Sequence, residues 1–108
     1  MANIYTNAKI DFNDTSNTTV YTSTTATTSI IKSILVSEDS GNADSISVTL
    51  TAGASVFSLF KTKAISTNQT VELLSQPLII QEAEILKATA ATADRLHIVI
   101  SVLQINRN

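Results

Sequence analysis

The only histidine in the chain is His97, and it stands four residues before Ser101. A hydroxyl nucleophile needs a base within hydrogen-bond reach. In an extended strand, His97, Val99 and Ser101 share one face, but Ser101 then lies about 13 Å from His97. The pair cannot act together within that strand. No glycine-flanked serine elbow is present, and His97 reads as an ordinary strand residue. The run Glu38-Asp39-Ser40-Gly41-Asn42-Ala43-Asp44 offers oxygen ligands for a hard cation. It lacks the calcium-loop spacing and the distal glutamate such a loop uses, and its residue types are those of a strand connection. Glu82 and Glu84 would share a strand face as solvent-facing charges. A glycosidase pair needs a groove with aromatic platforms, and the chain has no Trp, two Tyr and three Phe.

Other chemistry is restricted by composition. There is no cysteine, which removes disulfide, thiolate-metal and thiol chemistry. Two isolated glycines cannot build a phosphate-cradling loop. Three Asn-X-Thr triplets begin at Asn13, Asn17 and Asn68, as chance provides in a chain this rich in Asn and Thr. Seven Lys and Arg, a net charge of −2 and 15 % charged residues argue against a nucleic-acid partner. No apolar run reaches the roughly 20 residues of a spanning helix, so no membrane partner is expected. Met1-Ala2-Asn3-Ile4-Tyr5 has neither the charge nor the apolar region of a signal peptide. Synthesis in a cytoplasm is the expectation. No catalytic, metal or cofactor site follows from these residues, and the expectation is a protein that is not an enzyme.

The elements that carry these residues read as strands. The 108 residues suit one domain, and Ser and Thr make up about a quarter of them. Asp44 to Ala52 alternates strictly, with Ile46, Val48 and Leu50 on one side and Ser45, Ser47, Thr49 and Thr51 on the other. Ser55 to Lys61 follows as the second arm of a hairpin turned at Gly53. Ser29 to Glu38 places Ile30, Ile34 and Val36 on one face and Ile31 and Leu35 on the other. Arg95 to Asn106 sets Leu96, Ile98, Ile100 and Val102 against Val99, Leu103 and Ile105. Strands apolar on both faces are covered on both, and in so small a domain a second subunit is the expected cover. Further strands are expected over Ile4–Phe12, Thr18–Ser23, Thr70–Leu74, Leu78–Gln81 and Ile85–Ala91. Glu82 to Asp94 could be helical by propensity, but its alternation favours a strand. Turns must rest on Asn, Asp and Ser, since glycine and proline are scarce. The pattern predicts an all-β fold, a single antiparallel β-sandwich or jelly-roll-like domain of about eight strands spanning residues 1–108.

Apolar area in excess of one core's needs marks an interface. Val56, Phe57, Leu59 and Phe60 put apolar groups on both faces of one strand. With Ile4, Tyr5, Ile10 and Phe12 in the first strand, and Leu103 and Ile105 in the Leu103–Asn108 end, they form the expected contact surface.

The order of segments carries a resemblance. A polar lead-in precedes Thr19-Val20-Tyr21-Thr22, a Thr-rich turn and Ile30-Ile31-Lys32-Ser33-Ile34-Leu35-Val36. An acidic turn and a Ser/Thr-alternating strand follow. Then come Val71-Glu72-Leu73-Leu74-Ser75-Gln76-Pro77-Leu78, Glu84-Ile85-Leu86-Lys87-Ala88 and Ala91-Thr92-Ala93-Asp94-Arg95-Leu96. Over nearly its whole length the chain resembles the small virion structural proteins of tailed bacteriophages, marine and cyanobacterial ones prominently. It departs from them in two turns, at Ser23–Thr27 and Glu82–Glu84. The resemblance implies a β-sandwich present in many copies on a virion, made in the host bacterial cytoplasm, a homo-oligomer whose partners are other virion proteins of the capsid, neck or tail. Capsid decoration is the leading expectation, a neck or tail adaptor or fibre-attachment domain the second. A host-glycan-binding module is a third, of a different class.

Overall fold

Alternation with a period of two governs this chain, and it folds accordingly into strands joined by turns. The computed structural model describes residues 2–107, with the side chain of Ala2 excepted; Met1 and Asn108 lie outside the described residues. Among the described residues nine strands follow one another: β1 (Ala2–Asp11), β2 (Thr18–Thr22), β3 (Thr27–Glu38), β4 (Asp44–Ala52), β5 (Ser55–Ile65), β6 (Thr70–Glu72), β7 (Leu78–Ile80), β8 (Ile85–Ala90) and β9 (Leu96–Asn106). No helix occurs among the described residues, so the alanine-rich 82–94 segment is strand β8 with its flanking turns.

The strands form two antiparallel sheets. The larger has the order β1-β9-β3-β6, with β7 also pairing β3; the smaller has the order β2-β8-β4-β5. They pack face to face around one apolar core containing Phe12, Ile31, Ile34, Val36, Ile46, Val48, Leu86, Ile98 and Ile100. The hairpin of β4 and β5 turns at Gly53, whose φ of 62° is a conformation that glycine adopts without steric cost. Elsewhere the expected turn chemistry is incomplete. Ala26, Thr62 and Ala83 also take positive φ, beside Asn68 and Asp94. Neighbours hold them there: Ala26 donates its N–H to Glu82, Ala83 to the Ser23 carbonyl at 2.7 Å, and Thr62 to the Ser47 hydroxyl at 3.0 Å.

One expectation about β3 is corrected. Ile30 does not share a face with Ile34 and Val36. The β3–β9 register shifts between Ile31 and Ser33, and this β-bulge resets which side chains point inward. Ahead of it Thr27, Ser29 and Ile31 are buried; beyond it Ile34, Val36 and Glu38 are. Glu72 stabilises the interruption. Its carboxylate accepts the Ile34 N–H at 2.7 Å and the Ser33 hydroxyl at 2.5 Å. The far edge of β3 is thereby divided, with β7 paired at Ser29–Ile31 and β6 at Leu35–Ser37.

Near one end of the sandwich the sheets meet through hydroxyls. The Ser23 and Ser29 side chains are fully buried. Ser29 Oγ lies 2.6 Å from the Tyr21 hydroxyl and 3.0 Å from Ser23 Oγ, Ser23 donates to the Thr27 carbonyl, and Gln104 donates to the Tyr21 hydroxyl at 2.8 Å. Such a cluster is tolerated because each polar group has a partner.

Candidate interaction surface

The residues considered for chemistry have structural partners. His97 points outward from the larger sheet, with Nδ1 3.5 Å from Asp11 and Nε2 3.2 Å from Asp39. Both ring nitrogens are thus directed at carboxylates rather than at a hydroxyl. Ser101 is opposite Asn7 and Ser33, further along the same face. In the acidic run, Glu38 turns into the protein. Its buried carboxylate accepts N–H bonds from Ser40 at 2.6 Å, Gly41 at 3.2 Å and Asn68 at 3.0 Å, and the Ser40 hydroxyl. Burial raises its pKa, but these donors outweigh that penalty and bring it to about 2. Among the described residues no group of three or more His, Cys, Asp or Glu is placed to hold a metal ion.

Glu82 and Glu84 do not share a strand face. Both lie in the turn between β7 and β8. Glu82 pairs with Arg107 at 3.1 Å, and Glu84 accepts the Gln81 N–H at 2.7 Å.

The interface candidates divide into core and surface. Phe12 is only 1 % exposed and belongs to the core; the core of this domain takes it up and it offers nothing to a partner. Ile10, Leu59 and Phe60 are half-buried against that core. The surface members are Tyr5 at 77 % exposure, Val56 at 63 %, Phe57 at 54 % and Ile4 at 48 %. Phe57 is opposite Leu50 and Val56 opposite Thr51, so the exposed end of β5 displays apolar groups on both faces. Leu103 and Ile105 are half-buried, and Asn108 is outside the described residues.

Register assembles the outer face of the larger sheet. Residues directly opposite one another in antiparallel strands project to the same side. Tyr5 is opposite Leu103, Leu103 opposite Ile30, and Ile30 opposite Ile79. These four form an apolar row across β1, β9, β3 and β7. A second row, Lys9–Val99–Leu35–Glu72, is apolar at its centre, where Val99 and Leu35 are each more than a third exposed. Asn7, Ser101 and Ser33 lie between the rows. The smaller sheet turns out mainly hydroxyls, Ser47, Thr49 and Thr51 from β4 with Lys87 and Thr89 from β8, and its apolar members Ile85 and Val56 flank Thr51 at one end. The two outer faces therefore differ in chemistry.

Ile30, Leu35, Ile79 and Val99 were not among the candidate contacts. The two-face pattern of Leu35 and Val99 indicated that something covers them. The bulge turns Ile30 to the face opposite the one its spacing predicts, and the three-residue strand of Ile79 has no alternation to align it. No protein-family model, no curated protein and no solved structure matches this chain.

Proposed function

We propose that this chain is a structural protein of a tailed-phage virion, a capsid decoration or cement subunit acting through protein–protein contacts and without catalytic chemistry. The observation that carries the reading is the apolar row Tyr5–Leu103–Ile30–Ile79 on an open sheet face. A face of this kind loses water contact when a neighbouring subunit covers it. The order of strands and turns that resembles small virion proteins supplies the setting. Cement action follows by mass action: a protein that binds only the assembled shell stabilises it, and many modest contacts add.

The test is the stoichiometry of the chain in purified particles, together with its binding to shells stripped of it. A copy number that scales with the capsid subunits and saturable binding to stripped shells are expected. A copy number matching a single ring moves the protein to the neck or tail. Absence from particles with no affinity for shells overturns the reading.

A further inference from the structure

The four sheet edges are not alike. Strands β6 and β7, which share one edge, have three residues each. Strand β2 has five residues and a register shift between Thr19 and Tyr21. Strand β5 is long but is shifted twice against β4, and Thr62 within it takes a positive φ. Shortness, bulges and irregular twist are the devices that keep an edge from pairing with another chain. Strand β1 has none of these, and of the remaining devices it carries only charge, in Lys9 and Asp11. Its register against β9 runs unbroken from Ala2↔Asn106 to Asp11↔His97, and the sequence contains no proline there.

The direction of its backbone groups follows from one bond. The Phe12 N–H donates to the Leu96 carbonyl at 3.1 Å and so points toward β9. Alternation along a regular antiparallel strand then directs the N–H and C=O groups of Asn3, Tyr5, Asn7, Lys9 and Asp11 away from β9, to the open edge. The one local contact described for these backbone groups is a long 3.5 Å approach of the Thr6 hydroxyl to the Asn7 carbonyl.

We infer that β1 pairs antiparallel with β1 of a second copy of this chain, about a two-fold axis passing between the two Asn7 residues. The inference deepens the assembly reading, on which it rests for its setting, by naming one partner. With the axis at Asn7, Tyr5 of each copy is opposite Lys9 of the other, and Asn3 opposite Asp11. Each ammonium then sits beside an aromatic ring, each carboxylate beside an amide donor. On the inner face, the exposed Ile4 is opposite the half-buried Ile10. All five outward-directed residues enter the ladder. An axis at Thr6 drops Asp11 from it, one at Ala8 drops Asn3, and one at Lys9 opposes two ammonium groups. The joined sheets place two of the apolar rows side by side on one continuous face.

The chain has no cysteine, so single thiols can read the register. Opposed residues in a hydrogen-bonded antiparallel pair have Cα atoms about 5.5 Å apart, inside the range a disulfide spans. The native chain is expected to sediment at twice its 11.5 kDa mass. Under mild oxidation Asn7→Cys is expected to cross-link at least tenfold faster than Ser75→Cys, an exposed control. The double variant Tyr5→Cys with Lys9→Cys is expected to cross-link faster than either single one. Asn7→Pro removes an N–H that β9 does not use, and is expected to give a folded monomer whose thermal unfolding matches that of the native chain diluted into its monomeric range. Asn7→Lys opposes two ammonium groups on the axis with the backbone intact, and carries the test if the proline variant does not fold. A native chain monomeric at hundreds of micromolar, Asn7→Cys no faster than the control, or an Asn7→Lys variant that stays dimeric overturns the inference. A monomer that still binds shells overturns the pairing alone; a dimer that ignores shells overturns the assembly reading alone.

Discussion

The Glu38 carboxylate accepts the Asn68 N–H at 3.0 Å across thirty positions of sequence, fastening the loop after β5 to the end of β3. The same carboxylate holds the Ser40 and Gly41 N–H groups, so one buried acid organises two connections.

Its titration gives a pH prediction. The folded-state pKa of about 2 lies below the ordinary value of 4.5. The unfolded chain therefore binds the proton more readily in between. The contribution of Glu38 is complete above the ordinary value and is lost as pH falls from 4.5 toward 2. Thermal unfolding followed by circular dichroism is expected to show a falling midpoint across that window. In Glu38→Gln the midpoint is lower near neutrality and the slope in that window shallower. An unchanged slope would show that other groups account for the acid sensitivity.

Core and surface candidates separate by stability. Phe12→Ala empties a filled core position and is expected to cost about 3–5 kcal/mol. Tyr5→Ser removes a side chain that a single subunit leaves mostly in water, and at concentrations where the chain is monomeric it is expected to change stability by less than about 0.5 kcal/mol. Urea unfolding of both variants checks the pair.

The hydroxyl cluster makes a third prediction. Ser29→Ala leaves the Tyr21 hydroxyl and Ser23 Oγ each short of a partner in a buried setting, at an expected cost of about 1–3 kcal/mol. If Ser29→Ala unfolds at the native urea midpoint, the cluster contributes nothing to stability.

The outer face makes a fourth. Leu103→Asp with Ile79→Asp places two charges in the apolar row while leaving the inner face untouched. Shell binding is expected to fall at least tenfold with the unfolding midpoint held within a few degrees. Undiminished binding would move the contact away from this face.

Most strands were legible because alternation is local. Ile46, Val48 and Leu50 against their hydroxyl neighbours define β4 to the residue, and Leu86, Ala88 and Ala90 pick out β8 over a helix. What sequence could not supply was set by contacts between distant segments. The bulge after Ile31 depends on Glu72, which approaches from β6, so nothing near Lys32 announces the change of face. The inward turn of Glu38 depends on Asn68 in the same way. The proposed contact surface is half legible: Tyr5 and Leu103 stand out as apolar residues in strands, but their alignment with Ile30 and Ile79 is a property of the assembled sheet.

Strand β9 lies between β1 and β3 in the larger sheet, yet every other described strand precedes it in sequence. Strand β1 has no hydrogen-bonded neighbour among the described strands until β9 joins it. Contacts of such long sequence separation close slowly. The β1 edge therefore acquires its regular register only when β9 is in place. Strand order alone thus makes that edge one of the latest parts of the sheet to take shape.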